Sequence, residues 1–154
     1  MKHIMKAFGA FLTLFLFAAL TSPAAPFEPV FMIEKVVGDC MIQGPSDSAF
    51  APAVEGKTYS YGSNIKTGRK SSLKIKLSDG NNECLISANA SLTMTEDPKD
   101  KKLKIIKLDD GEVEVKLNEE DMGKGNALNV ETATAICGAI ACWFSVEIHT
   151  EADL

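Results

Sequence analysis

The chain has 154 residues, of which 16 are Lys or Arg and 21 are Asp or Glu, so its formal net charge is −5. This length suits one domain of ordinary size, and the composition excludes the collagen-like, disordered-tail and polybasic classes. The residue patterns predict a compartment and a fold class, but they do not specify a biochemical activity.

The first 24 residues have the three parts of a secretory signal peptide. Residues 1–6 carry positive charge, residues 7–20 form an uncharged apolar run, and Ser22-Pro23-Ala24 offers the small residues that a signal peptidase reads. We expect cleavage after Ala24. An uncleaved membrane anchor is the disfavoured alternative, because a spanning helix needs about 20 apolar residues. The sequence therefore predicts a periplasmic or secreted protein that has no membrane span after cleavage.

Cleavage would leave 130 residues with 14 basic and 21 acidic side chains, a formal net charge of −7. Binding to nucleic acid requires a basic stripe. The densest basic segment, Lys99 to Lys107, is interleaved with Asp100 and three apolar residues, a pattern typical of a solvated strand face. We therefore expect no nucleic-acid partner.

All four cysteines follow the signal peptide: Cys40, Cys84, Cys137 and Cys142. An even count in an oxidising compartment predicts disulfide bonds, whose pairing the sequence leaves open. Buried free thiols are the alternative, because alternation places Cys40, Cys84 and Cys142 on strand faces with apolar companions. Zinc is disfavoured, since the closest spacing leaves four residues between Cys137 and Cys142.

Hydrophobic alternation with a period of two recurs after the leader, and no helix longer than one turn is needed. In Leu73 to Leu77 (LKIKL) the apolar side chains share one face and the lysines share the other, as in a half-buried strand. Turn signals such as Gly38-Asp39, Thr67-Gly68 and Asp110-Gly111 separate such runs. The pattern predicts an all-β domain of about nine short strands, sandwich-like or short β-solenoid-like. The predicted strands are Val30 to Val37, Cys40 to Ile42, Leu73 to Leu77, Cys84 to Ile86, Leu92 to Met94, Leu103 to Leu108, Glu112 to Leu117, Leu128 to Val130 and Phe144 to Ile148.

Other segments lack this regularity. Residues 44–56 and 118–126 have no periodicity and are interpreted as surface loops. Adjacent Ile105 and Ile106 cannot share one face of a regular strand, so we expect either a bulge or a strand covered on both sides. The same difficulty arises in residues 136–142.

Two consecutive segments resemble the central signature of FecR-like domains, the periplasmic portion of ferric citrate regulator proteins. They are Tyr61 to Gly68 (YGSNIKTG) and Ser72 to Gly80 (SLKIKLSDG), which supply a Gly turn and an Ile, a Thr-Gly turn, an alternating strand and an Asp-Gly turn. Flanking segments resemble the rest of the family pattern in the same order: Val37 to Ile42, Ile86 to Met94, the Gly-centred hairpin Leu108 to Leu117, and the closing strands Val130 to Ile136 and Phe144 to Val146.

The resemblance divides the chain into a signal peptide (1–24), a lead-in (25–34), a FecR-like β domain (35–148) and a C-terminal tail (149–154). Two departures from the family pattern stand out. Ile140, Ala141 and Cys142 occupy the places of a closing Arg-Gly-Thr, and Asn64 replaces a common acidic residue. The surface that the closing motif forms in the family is therefore not carried over to this chain.

The resemblance implies a non-catalytic β domain used in envelope signalling. We expect an exported protein-interaction or signalling module that contacts an envelope protein through loops and strand edges. The alternative is a secreted structural or adhesive domain that binds polysaccharide through Tyr59, Tyr61 or Trp143. Tyr59 and Tyr61 share one strand face, and the favoured interpretation is that both cover the edge of the core.

Enzymatic chemistry finds little support in the sequence. His149 is the one histidine after the leader, and its nearly terminal position rarely supplies the rigid pocket of a catalytic triad. Glu112 and Glu114 share a strand face and could form a glycosidase-like pair, although the sequence indicates no cleft. No glycine-rich phosphate loop and no oxygen-rich calcium loop are present in the sequence. We expect no enzyme activity, no metal site and no cofactor.

Overall fold

The computed structural model describes residues 30–77, 82–118, 127–139 and 143–148, and every regular element within them is a β-strand. The all-β prediction is confirmed. In chain order the strands are β1 (Val30–Val37), β2 (Cys40–Gln43), β3 (Ala51–Pro52), β4 (Thr58–Ser60), β5 (Ser63–Thr67), β6 (Ser72–Leu77), β7 (Glu83–Ile86), β8 (Ser91–Glu96), β9 (Leu103–Lys116), β10 (Ala127–Glu131), β11 (Ile136–Ala139) and β12 (Trp143–Ile148).

Several predictions fall outside the described residues: the signal peptide with its cleavage site, the Asp79-Gly80 turn, most of the loop at 118–126, Cys142, and the tail with His149. In the part of the chain that is described, no helix has the length and apolar character needed to cross a bilayer.

Nine strands form one curled antiparallel sheet, a half-barrel, in the order β3-β2-β5-β8-β9-β7-β6-β1-β4. Three further strands attach to it at β9. β10 runs parallel to the first half of β9 and carries β11, whereas β12 runs antiparallel to the second half. β9 is therefore the strand on which the two halves of the sheet meet.

The concave side of the curled sheet encloses a single hydrophobic core. Period-two burial is clearest in β6, where Leu73, Ile75 and Leu77 are buried and the intervening lysines face outward. β1 begins at Val30, so the stretch assigned to the lead-in contributes Phe31 and Ile33 to the core. The largest fully buried side chains are Phe31, Ile33, Ile42, Ile65, Leu73, Ile75, Ile86, Leu92, Met94, Ile106, Leu108 and Val113.

β9 corrects the predicted hairpin at Asp109-Asp110-Gly111. The chain does not reverse there: Leu103–Lys116 is one continuous strand, and Asp109 is an extra residue between Leu108, which pairs with Leu92, and Asp110, which pairs with Ser91. The prediction was wrong because an Asp-Gly pair serves a β-bulge as well as a turn. Partner strands flank both halves of β9, so continuing the strand satisfies backbone groups on both sides.

Ile105 and Ile106 are adjacent and both buried because the strand is covered on both of its faces, which was one of the two explanations expected from the sequence. Lys104, Ile105 and Ile106 are consecutive and all buried, although Ile105 lies outside the main core cluster. Lys104 points to the same side as Ile106, as expected two residues apart on a strand. This arrangement places an ammonium group at the end of the core.

Thr67, Gly68 and Ser71, which lie in or beside the segments that resemble the FecR-like signature, form hydrogen bonds that connect neighbouring turns. The Thr67 hydroxyl accepts the Ala90 N–H at 2.9 Å, and the Gly68 N–H donates to the Asp39 carbonyl at 2.8 Å. The Ser71 hydroxyl accepts the Asp39 N–H at 2.9 Å. These bonds tie the β1–β2 turn to the turn after β5, so the Thr-Gly signal has a structural role in this chain.

Candidate interaction site

β12 lies at an edge of the sheet. It pairs with the second half of β9 in a continuous register that runs from Trp143 opposite Lys116 to Ile148 opposite Gly111. Among residues 30–77, 82–118, 127–139 and 143–148, β9 is the one strand that pairs with β12. The other edge of β12 therefore presents backbone N–H and C=O groups to whatever lies beside it.

The side chains of β12 alternate between two environments. Phe144, Val146 and Ile148 point inward, where they are half-buried and contact the core cluster. Trp143, Ser145 and Glu147 point outward and are exposed, and 70% of the Trp143 surface is accessible. A strand that buries three apolar side chains only partly leaves room for further apolar contact beside them.

The Trp143 indole is held in a defined orientation on the outer face. Its Nε1–H donates to Glu114 Oε1 at 2.8 Å. Next to it, the Ser145 hydroxyl donates to Glu112 Oε1 at 2.6 Å, and the Ser87 hydroxyl lies 3.4 Å from Glu112 Oε2. These donors are neutral indole and hydroxyl groups.

The outer side of β7, β9 and β12 forms what we call the acidic face: Glu83, Leu85, Glu112, Glu114, Lys116, Trp143, Ser145 and Glu147. Strand register sets its rows, in which Lys116 lies between Glu83 and Trp143, and Glu114 lies between Leu85 and Ser145. In the third row Glu112 lies directly opposite Glu147. Four carboxylates therefore share this face with one lysine.

Glu83 on this face belongs to an ion-pair cluster. Glu83 lies 3.1 Å from Lys74 Nζ, which is also 3.0 Å from Glu34. The hydrogen bonds from Lys74 to Glu34 and then to Glu83 raise the pKa of Lys74 above its ordinary value. The carboxylates nearest β12 are those of Glu112 and Glu114, which accept hydrogen bonds, and Glu147, which also has an interaction partner.

A cleft of about 500 Å³ runs along β12. One wall is made by Ser145, Val146, Glu147 and Ile148, and the other by Thr132, Thr134, Ala135 and Cys137 from the β10–β11 hairpin. Consecutive strand residues point alternately to opposite faces, so four in a row can line one cleft only where the strand edge itself faces it. The edge of β12 that pairs with no strand in the described ranges therefore faces the cleft.

The structure separates the three aromatic residues of the predicted binding surface. Tyr59 and Tyr61 are each only 9% exposed and contact Phe31, with ring centroids 6.0 and 5.8 Å away. Their rings therefore belong to the core edge, the alternative that alternation left open. Trp143 alone of the three is exposed and available for contact.

The described cysteines are free thiols. Cys40 and Cys84 are buried, Cys137 is partly buried in the cleft wall, and none of the three forms a disulfide. The predicted disulfide bonds are thus not seen at Cys40, Cys84 or Cys137. Burial raises the pKa of the Cys40 thiol, and complete burial, with a smaller contribution from Glu114, raises that of Cys84 far above its ordinary value.

Metal-binding groups do not cluster in the described ranges: no three His, Cys, Asp or Glu side chains there could hold one ion. Glu112 and Glu114 do share the outer face of β9, as alternation predicts, but each accepts a hydrogen bond from a neighbouring side chain on an open sheet surface. The arrangement presents charge and an aromatic ring to a partner.

Comparisons with known proteins identified no relative of this chain. No protein-family model, curated protein or solved structure matches the chain. The resemblance to FecR-like domains therefore rests on its sequence motifs alone.

Sequence reasoning did not anticipate two features of the structure. The cleft depends on how β12 and the β10–β11 hairpin are placed around β9, which alternation within each segment does not encode. The buried pair of Lys104 and Glu96, 3.0 Å apart, was also missed. The available signal was Lys104 standing two residues before Ile106 and four before Leu108, on the core side of the strand.

Proposed function

We propose that this chain is an exported, FecR-like interaction module without enzymatic activity, and that it binds an envelope protein by strand addition at β12. The observation that carries the proposal is the cleft lined by four consecutive residues of β12. An edge strand offers a row of backbone donors and acceptors to an extended peptide, and side-chain contacts beside it add specificity.

The environment of the edge favours a strand as the occupant. The half-buried Phe144, Val146 and Ile148 would gain apolar neighbours on the inner side of an added strand. The two ends of the nine-strand sheet are shorter, because β3 at one end has two residues and β4 at the other end has three. Short edges are a common way to discourage pairing, whereas the six residues of β12 are enough for a stable strand pair.

Polysaccharide binding is the second candidate, and the exposure of Trp143 favours it. An aromatic ring on a surface can stack on a sugar, but saccharide platforms gain strength from several such rings. With Tyr59 and Tyr61 buried, Trp143 would have to act alone among the three. Quenching of Trp143 fluorescence by oligosaccharides, without any response to extended peptides, would replace the first proposal with this one.

Strand addition can be tested with synthetic peptides of alternating Val and Thr, about ten residues long. We expect binding to slow hydrogen exchange at the β12 amides and to leave exchange at β4, on the far edge of the sheet, unchanged. A matched peptide N-methylated on every second residue cannot donate along one edge, so it should not bind. Equal binding of the methylated peptide would overturn strand addition.

The envelope partner can be sought with a photo-crosslinking residue at Ala135, which is exposed on the hairpin wall of the cleft. The matched control is the same residue at Ala51 on β3, at one end of the nine-strand sheet. We expect one discrete adduct from position 135 and none from position 51. The purified partner should then be displaced by the Val-Thr peptide, and a partner that resists displacement would contradict binding at β12.

A further inference from the structure

We infer that the cleft beside β12 takes one isolated extended segment, such as a terminus or linker of the partner. The cleft recognises this segment by its main chain and by two apolar side chains, and not by its charge. This assignment rests on the proposed function and specifies the chemistry of the occupant. It follows from the volume of the cleft, from the bonds that its polar side chains already form, and from its apolar inward side.

The volume of the cleft matches a single short strand. Neighbouring strands lie about 4.8 Å apart, packed sheets lie about 10 Å apart, and four residues of strand extend about 13 Å. One four-residue strand therefore fills roughly 600 Å³, and the cleft holds about 500 Å³. Two strands side by side would need about twice that space.

The two facing walls of the cleft disfavour the edge of another folded sheet. Such an edge strand has its own neighbour on its far side, which would meet the hairpin wall at Thr134 and Ala135. A second copy of this chain has the same difficulty, because its β12 carries β9 on the other edge. An extended segment that pairs with nothing else fits between the walls.

Polar side chains that line the cleft already form bonds within the chain. The Thr132 hydroxyl accepts the Ala135 N–H at 3.0 Å and donates to the Ala135 carbonyl at 3.2 Å. The Ser145 hydroxyl donates to Glu112 at 2.6 Å, and Glu147 also has an interaction partner. A charged side chain that entered the cleft would lose water without gaining an ion pair from these residues. The backbone edge of β12 is therefore the main polar partner for an occupant.

The inward side of β12 favours two apolar side chains on the occupant. Val146 and Ile148 line the cleft, where they are half-buried and contact the core cluster. A strand beside β12 places alternate side chains on the same two sides as β12, so two of its four residues point inward. Val or Ile suits both positions, since β-branched residues favour an extended chain. The outward positions lie beside the exposed Ser145 and Glu147, where a side chain of any charge can reach water.

A series of capped six-residue peptides tests this recognition. The parent, Thr-Val-Thr-Val-Thr-Thr, has one pair of apolar residues at the spacing of the inward positions. Replacing both Val by Ser should weaken binding at least about tenfold. Replacing the Thr between them by Ser, Lys or Glu should change the affinity less than about threefold at about 1 M salt, where the Debye length is about 3 Å. Anisotropy of a fluorophore on the peptide gives all the affinities.

One substitution in the chain identifies the apolar contact. Val146→Thr keeps the shape of the side chain and adds a hydroxyl, so it should weaken binding of the parent peptide about threefold or more. The matched control, Val54→Thr, makes the same exchange between β3 and β4, where the side chain is 54% exposed, and should leave the affinity unchanged. Equal thermal unfolding temperatures would show that both variants remain folded.

The outcomes separate this inference from the proposed function. Equal affinity for the Val and Ser peptides, with loss on N-methylation, overturns the apolar contacts and leaves strand addition standing. A difference of about tenfold between the Lys and Glu peptides at about 1 M salt overturns recognition without charge. A dimer of this chain that the parent peptide dissociates overturns the isolated segment. Binding that survives N-methylation, or failure of every peptide, overturns strand addition and this inference together.

Discussion

Gly111 lies so close to Ala90 that no side chain fits at position 111. A Cβ built there would stand 2.6 Å from the Ala90 Cα and 2.7 Å from its Cβ, and Gly111 has a φ of +88°. The contact comes immediately after the bulge at Asp109, where β9 leaves β8 for its pairing with β7. Gly111 therefore allows one strand to serve both halves of the sheet.

Gly111→Ala should be among the most destabilising single substitutions in the chain. Positive φ costs a non-glycine residue about 1–2 kcal/mol, and displacing the Ala90 backbone adds an overpacking cost of about 1–3 kcal/mol. Gly56→Ala is the matched control, because Gly56 has a φ of +77° but no atom within 4 Å of the place that a Cβ would take. Urea denaturation should show the larger loss at Gly111, and equal losses would contradict the steric explanation.

Most of the longer strands were readable from the sequence, although β5 and β11, with five and four residues, were not predicted. β6 and β7 were predicted within a residue of their observed bounds, because their apolar positions face a single core. β3 and β4 were not predicted, since two or three residues are too few to display a period. Their pairing depends on the bend between β1 and β2, a long-range arrangement.

The candidate site was predictable only in its parts. Alternation placed Glu112 and Glu114 on one outer face, and Trp143 was one of three aromatic residues proposed for a binding surface. The register of β12 against β9 brings these residues together, because it places Trp143 beside Glu114. Register between strands far apart in sequence depends on the whole sheet, so the composite surface could not be derived from either segment.

The buried ammonium of Lys104 should make Glu96 important for stability. Lys104 Nζ donates to Glu96 Oε2 at 3.0 Å and to the Lys101 carbonyl at 2.7 Å, and it lies 4.7 Å from the centroid of the Tyr61 ring. Removing Glu96 would leave a buried cation with fewer partners, whereas removing the Lys104 charge would leave a carboxylate that can reach water.

We expect Glu96→Gln to lower the free energy of unfolding by about 1–3 kcal/mol. Lys104→Met, which fills the same space without charge, should cost less than Glu96→Gln. Glu131→Gln on β10 provides a control for loss of one carboxylate elsewhere. Denaturant unfolding of the three variants gives the comparison, and a larger loss for Lys104→Met than for Glu96→Gln would refute this reading of the pair.

Thiol reactivity should follow burial. The nucleophile in alkylation is the thiolate, so a raised pKa and a buried sulfur both slow the reaction. Cys40 also donates from Sγ toward the Val37 and Ser72 carbonyls, each at 3.5 Å, which further holds it in the core. Cys137 stands in the wall of the cleft, where it is only partly buried.

Iodoacetamide labelling of the native reduced protein, mapped by mass spectrometry, should modify Cys137 at least about tenfold faster than Cys40 or Cys84. In denaturant the three rates should converge, which serves as the internal control. Rapid native labelling of Cys84 would contradict its burial. Recovery of Cys40 or Cys84 in a disulfide from the unreduced protein would contradict the free thiols described here.

Asp97 should make the stability of the β8–β9 connection depend on acid pH. Its Oδ1 accepts the Lys99 N–H at 2.6 Å and the Asp100 N–H at 3.0 Å, and these two bonds, in that order of effect, lower the pKa of Asp97. The folded protein thus prefers the ionised form. Its contribution to stability is present above the unfolded-state pKa, about 3.9, and is lost as the pH falls through the lower folded-state value.

Asp97→Asn keeps an acceptor at the same place and removes the charge, so it isolates the ionic part of these bonds. The variant should unfold at lower urea concentration than the native chain at neutral pH, and the difference should disappear in strong acid, where Asp97 is protonated in both states. Asp39→Asn, which removes an exposed carboxylate from another turn, is the matched control. An NMR titration in which the Asp97 carboxyl has an ordinary or raised pKa would rule out the mechanism, because the folded chain would then have no preference for the ionised group.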